Sequence, residues 1–329
     1  MDQYATRRRP HRSYRGLLLY GAILFFAVWC CVAFRADIAQ ISLQRVLSGW
    51  DAILFAALLS LFNFGCRAAR WHLYLGKLGF RLRPAFTALT YIAGFAFTLL
   101  PGKVGELARA RYYTAPRIPL GHIAAAFFVE RLIDLLAVMA LALGALASAS
   151  NYRPFFLDAM TILGAVLGVL ALLPWERLEG AHRRVHANRG GLWHKWLGQA
   201  LGALTQARAL LKPGILVISL VLALAAWTAQ GIGLKVISTV IPGAGLDYPG
   251  AIGIYATAMI AGAFSFMPGG LGSAEAVMVA LLVTRGYSLS DSILLTLVCR
   301  ICTLWLAVAA GWCCVLVLRR RDSPAAVPG

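Results

Sequence analysis

The residues with chemistry to offer are charges set inside apolar stretches. Glu130, Arg131 and Asp134 stand in the middle of one apolar run, and Arg300 stands about ten residues into another. A charge inside a membrane helix costs about 2.5–3.5 kcal/mol on insertion scales and usually faces a partner or a cavity. Glu130 and Asp134 are four residues apart and share a helix face, while Arg131 and Asp134 are three apart and able to pair. Three kinds of chemistry fit this group: an internal salt bridge that locks packing, the charged wall of a headgroup cavity, or a proton relay. Arg300 is expected to pair with Glu275 or with a substrate anion.

Glu106 and Glu275 each follow a break in an apolar stretch. Residues 97–106 read F-T-L-L-P-G-K-V-G-E, and residues 264–275 read F-S-F-M-P-G-G-L-G-S-A-E. Both contain F-x-x-x-P-G-x-x-G followed by a glutamate. Arg131 lies 25 residues after Glu106, and Arg300 lies 25 residues after Glu275. The shared offsets predict an internal repeat. Pro101, Gly102 and Gly105 in one copy, and Pro268, Gly269 and Gly272 in the other, are the turn residues, since glycine permits tight turns and proline restricts its neighbour. A half-helix starting at such a turn points unpaired N–H groups and partial positive charge forward, which suits a phosphate. Lys103, Arg109 and Arg111 add charge beside the first turn. Capping or another structural role for Glu106 and Glu275 stands beside a functional one.

Arg67, Arg70 and Trp71 fall where an apolar run meets its cytoplasmic boundary. Snorkelling and an aromatic belt explain them, with a hold on a lipid phosphate as the other reading. Trp227 and Gln230 either line the same cavity or serve helix packing.

These residues need elements to position them, and composition says which. Of the 329 residues 60% are hydrophobic and only 13% charged, with mean hydropathy +0.74. Soluble domains hold roughly 45–50% apolar and about 25% charged residues, so a soluble protein is excluded. The expected class is an all-α polytopic membrane protein. Six runs satisfy the roughly 20 apolar residues of a membrane helix: about 16–34, 50–66, 122–148, 155–173, 214–241 and 290–318. The stretches 84–100 and 249–267 run into the two Pro-Gly breaks and are expected to form re-entrant hairpins. With that arrangement, residues 1–15, 67–121, 174–213 and 319–329 share one side and hold 24 of the 31 Lys and Arg. The positive-inside rule makes that side cytoplasmic, with both termini inside. The two copies, about 50–148 and 214–318, are then inverted relative to one another around a midplane site.

The net charge of +18 is accordingly a topology and lipid-surface signal, and nucleic acid is not an expected partner. The basic loop 174–213 carries an expected amphipathic helix near 192–210. It reads as a linker on anionic lipid, or as a regulatory or substrate-binding element. The seven cysteines lie in or beside apolar runs and read as packing residues; no metal and no cofactor are expected. No catalytic or nucleotide-binding motif appears, so no catalytic residue is assigned and transport would be passive or ion-coupled. The chain is too short for a polytopic domain plus a soluble enzyme domain of about 100 residues.

The ordered set Arg67-Ala-Ala-Arg70-Trp71, Leu100-Pro101-Gly102-Lys103-Val-Gly105-Glu106 with Arg109, Val129-Glu130-Arg131 with Asp134, Pro268-Gly-Gly-Leu-Gly272-Ser-Ala-Glu275 and Arg300 resembles the lysylphosphatidylglycerol synthase transmembrane family. The resemblance spans roughly residues 16–318. It implies the lipid-moving membrane domain without the aminoacyl transferase that follows it in two-domain relatives. The resulting expectation is a flippase or scramblase of the bacterial inner membrane that moves a polar- or phosphate-headgroup lipid between leaflets. Lys103, Glu106, Arg109, Glu130, Arg131, Asp134, Glu275 and Arg300 would line the path, with Arg67 and Arg70 beside it. A lipid-modifying enzyme using Glu106 and Glu130, and a scaffold for a lipid-synthesis enzyme, are the alternatives.

Overall fold

A computed structural model of the chain describes residues 49–99, 109–114, 118–147, 161, 176–177, 180, 184, 192–241, 245–265 and 267–322. The first helix, α1, spans Trp50–Lys77. The apolar run was expected to end at residue 66, but the helix continues for three more turns. Hydropathy reports where lipid suits the side chains, whereas Ala, Arg and Leu sustain a helix on either side of that boundary. A glycine ends it: Gly79 has φ +96°, Gly79 N–H donates to Gly76 O and Phe80 N–H donates to Leu75 O. This is a Schellman stop, which needs a residue tolerant of positive φ.

Helix α2 spans Pro84–Ala93, starts with proline in its first turn and tightens into a 3-10 segment at Gly94–Phe97. Then follow α3 (Leu120–Ala147), α4 (Leu192–Leu210) and α5 (Pro213–Ser238). Helix α6 (Tyr248–Phe264) and helix α7 (Ser273–Thr284) are joined by a glycine-rich turn. Helix α8 (Leu289–Arg300) passes through a π-helical turn, Ile301–Trp305, into α9 (Leu306–Asp322). Ser288 caps α8 by accepting from the Asp291 N–H. The described residues contain no strand.

Three stretches among the described residues are long and apolar enough to cross a membrane: Trp50–Lys77, Pro213–Ser238 and Leu289–Arg320. They match the expected runs 50–66, 214–241 and 290–318, the last interrupted by the π turn. Helix α3 is as long as α1, at 28 residues, but carries Glu130, Arg131 and Asp134. The runs 16–34 and 155–173 lie outside the described residues, residue 161 aside.

The packing leaves apolar faces outward. Leu54, Phe55, Leu58, Leu61 and Phe62 on α1, and Val217, Ile218 and Val221 on α5, are exposed. A water-soluble surface does not tolerate such patches, but lipid does. Inward, α1 packs on α5, where Ser60 Oγ donates to Gln230 Oε1 at 3.1 Å and Asn63 Nδ2 donates to the Ala226 carbonyl at 2.8 Å. Such polar contacts join helices where apolar burial offers little drive for association. Gln230 is thus a packing residue. Helix α9 packs on α2, and a Cβ on Gly311 would collide with the Phe95–Ala96 backbone. Helix α4 occupies the expected stretch, and its C-terminal end docks on protein: Ala207 and Leu210 are buried in the same core as α3.

Candidate functional site

Among the described residues, six charged side chains from three segments converge in the interior. Helix α1 supplies Arg67 and Arg70, α3 supplies Glu130, Arg131 and Asp134, and the short 3-10 segment at 109–113 supplies Arg109. Glu130 lies ten residues into α3, about 15 Å along its axis. Glu130 Oε2 accepts from Arg109 Nη2 at 2.7 Å, and Oε1 accepts from Arg131 Nη2 at 2.9 Å and from the Tyr91 hydroxyl. Asp134 Oδ1 accepts from Arg70 Nη2 at 2.5 Å and from Trp227 Nε1 at 3.2 Å. Asp134 Oδ2 lies 3.1 Å from Arg131 Nη2, the pair expected from the i,i+3 spacing. Arg67 Nη2 sits 3.7 Å from both carboxylates.

Aromatic rings enclose the guanidiniums. Arg109 Cζ lies 3.8 Å from the Trp71 ring centroid and 4.6 Å from that of Tyr91. Arg67 Cζ lies 5.1 Å from Phe95 and 5.8 Å from Trp227. Planar, weakly hydrated guanidinium is the cation suited to such faces. The Trp71 indole donates to the Tyr113 hydroxyl at 2.8 Å, which also pairs with Thr90 Oγ1 at 2.7 Å. Burial pushes the Tyr113 phenol above its usual pKa, against the pull of those two hydrogen bonds, so it stays protonated and fixes Trp71. Arg70, Arg109 and Glu130 are fully buried, whereas Arg131 keeps 20% of its side chain accessible and Arg67 11%.

This corrects the reading of Arg67, Arg70 and Trp71 as interfacial. Neither arginine snorkels. A partner carboxylate 64 residues away, Asp134, holds Arg70 inside the protein, and Trp71 is the face on which Arg109 stacks. Arg111 stands apart, exposed and bonded to the Tyr112 hydroxyl at 2.6 Å.

A second charged group sits at the turn between α6 and α7. Gly269, Gly270 and Gly272 have φ of +62°, +68° and +83°, which side chains with a Cβ rarely adopt, so the repeated glycines are a backbone requirement here. Glu275 lies in the first turn of α7 and satisfies the positive end of that helix. Arg300, 25 residues on, donates from Nε to Glu275 Oε1 at 2.6 Å and from Nη2 to the Gly269 carbonyl at 2.9 Å. The expected partner of Arg300 is therefore Glu275, and the same guanidinium ties down the turn. Among the described residues no ion pair links this group to the cluster around Glu130.

Pro101, Gly102, Lys103, Gly105 and Glu106 lie outside the described residues. No group of three or more His, Cys, Asp or Glu side chains suited to a metal occurs among the described residues. A small apolar pocket lined by Ile53, Ile237, Leu294 and Val298 sits at the other end of α1 from the cluster; Ile53 and Arg67 are about 21 Å apart along the helix.

Reasoning from sequence missed Tyr91, Phe95 and Tyr113. The available signal was a phenol in mid-stretch at Tyr91, in a run otherwise apolar.

Long apolar helices around a buried layer of paired charges define an all-helical membrane protein. Residues 13–311 match the family described as the lysylphosphatidylglycerol synthase TM region, and the chain belongs to that family. No curated protein matches the chain. Family and fold together indicate a function tied to membrane lipid.

Proposed function

We propose that the protein is a translocase or scramblase that moves a polar- or phosphate-headgroup lipid between the leaflets of a bacterial inner membrane. The observation that carries this reading is the six-member charge cluster. Four guanidiniums and two carboxylates from distant segments are held among helices whose outer faces suit lipid. Intramembrane charges at that density mark substrate pathways. A headgroup would meet Arg131 and Arg67 first, because these keep accessible surface, while acyl or isoprenoid tails stay in the bilayer.

The architecture proposed around the cluster is six spans with two re-entrant hairpins, inverted relative to one another, and both termini in the cytoplasm. In support, α6 and α7, at 17 and 12 residues, are each shorter than the roughly 20 that a span requires. The 24 Lys and Arg assigned to one side give the orientation. Movement is passive or coupled to an ion, the basic loop 174–213 rests on anionic lipid, and a lipid-synthesis enzyme is the partner class that would feed the pathway.

The test is leaflet exchange of tail-labelled phospholipids in liposomes containing the purified protein, with Arg131→Gln and Glu106→Gln alongside. Protein-dependent exchange that the two variants lose supports the translocase. Exchange by both variants at the normal rate removes those residues from the mechanism. Formation of a modified lipid in detergent, where no second leaflet exists, replaces the translocase with an enzyme.

A further inference from the structure

Arg70 carries the cluster furthest beyond a general lipid role. Its side chain is fully buried and Nη2 binds Asp134, yet Nε and Nη1 are buried with no hydrogen-bond partner. A guanidinium has five N–H donors, and leaving them unmet in the interior costs free energy. The carboxylate oxygens described in the cluster lie against cations: three of the four accept a hydrogen bond, and the fourth, Asp134 Oδ2, accepts none but lies 3.1 Å from Arg131 Nη2. Each of the four carboxylate oxygens of Glu130 and Asp134 lies within ion-pair range of at least one guanidinium. The aromatic faces that could take an ammonium are engaged as well, Trp71 and Tyr91 by Arg109, and Phe95 and Trp227 by Arg67. Among the described residues, then, Arg70 has donors to spare, while the carboxylates and ring faces already lie against cations.

Resting on the translocase reading, we infer that this cluster selects lipids by headgroup charge. It accepts a phosphate-bearing headgroup of net negative charge and discriminates against one that carries an ammonium. A phosphate oxygen supplies the acceptor that Arg70 Nε and Nη1 lack, in the planar geometry a guanidinium recognises. An ammonium must displace a guanidinium from Glu130 or Asp134 and then sit beside it, and like charges in a desolvated site are strongly disfavoured. The family is described by an aminoacylated, ammonium-bearing lipid, so this chain's residues point to a different substrate class.

The experiment compares four lipids with identical acyl chains: phosphatidic acid, phosphatidylglycerol, phosphatidylcholine and lysylphosphatidylglycerol. Retention by the full-length protein is measured by native mass spectrometry from detergent, and leaflet exchange in liposomes doped with each labelled lipid. The two anionic lipids are expected to be held at least about tenfold more tightly than the other two. Arg70→Gln is expected to narrow that ratio. Because it removes the shortest contact of Asp134 and can unfold the protein, Arg131→Gln, at the accessible edge, serves as the second variant. Equal retention of all four, tighter retention of lysylphosphatidylglycerol, or no retention of any of them overturns the inference. So does a preference that neither variant changes, because it then belongs to the basic surface. Selective retention without leaflet exchange leaves the charge selectivity standing and removes the translocase; exchange without selectivity does the reverse.

Discussion

The cluster around Glu130 and the pair at Glu275 each contain an arginine that lies 25 residues after a glutamate following a Pro-Gly break, and the two differ in what surrounds that arginine. In the second half of the chain one guanidinium meets one carboxylate, and a second of its nitrogens donates to the Gly269 carbonyl. That group is neutral and is bolted to a backbone turn. In the first half, the described residues bring four guanidiniums against two carboxylates, under aromatic rings from α1, α2, α3 and α5. Among the described residues guanidiniums outnumber carboxylates in that group, and part of it reaches accessible surface. A repeated motif thus supplies the place for a charge, while the neighbours decide whether the charge holds a turn or is available to a ligand. On the proposed reading, the first half meets the headgroup and the second half holds the frame.

Glu130→Gln is the substitution expected to break the comparison most violently. It removes the anion that Arg109 and Arg131 share, and breaking a buried ion pair by removing one partner costs about 3–5 kcal/mol. Thermal melting of the purified protein in detergent reads this directly. Next comes Arg300→Gln, which loses the bond to Glu275 and the one to Gly269; a hydrogen bond from a charged group is worth about 1.5–3 kcal/mol. The loss should appear in melting, with lipid selectivity unchanged among the molecules that stay folded. A shift in selectivity would make the second group part of the substrate path and dissolve the contrast.

Arg131→Gln sharpens the comparison from the other side. Because the side chain is partly accessible, leaflet exchange should fall about tenfold, or about 1.4 kcal/mol, with a smaller melting shift than Glu130→Gln. Melting as severe as that of Glu130→Gln, with exchange intact in the folded fraction, would mean that the first group is structural too. The smallest effect belongs to Asp247→Asn. Its partner Arg285 is 3.7 Å away and both side chains are about half exposed, so the loss should stay below about 1 kcal/mol. It serves as the measure of what an ion pair outside both groups contributes.

The elements were legible in the sequence to the extent that lipid imposes a length. Roughly 20 apolar residues cross a bilayer, so α1, α5 and the α8–α9 stretch stand out as runs, and α3 does so despite three charges. The Glu275–Arg300 pair was legible as well, because its spacing is repeated 25 residues apart in each half and both members lie in apolar surroundings. Local chemistry also marked the break after Pro268, whose glycines supply positive φ, whereas the stop of α1 at Gly79 went unread.

What the sequence by itself determined is therefore the class of the protein, its apolar helices, the broken stretch at Pro268 and the identity of the charges that need partners. Each follows from a local rule, either a span length, a backbone angle or the cost of a charge in an apolar run. Tertiary structure alone decided who the partners are. Arg70 looks interfacial until Asp134, 64 residues away, is placed against it, and Trp71 looks like a belt residue until Arg109 stacks on its ring. The convergence of α1, α2, α3 and α5 on one buried layer is set by packing over long separations, and no periodicity along the chain records it. Only that convergence sets the four guanidiniums of the described residues against the carboxylates of Glu130 and Asp134.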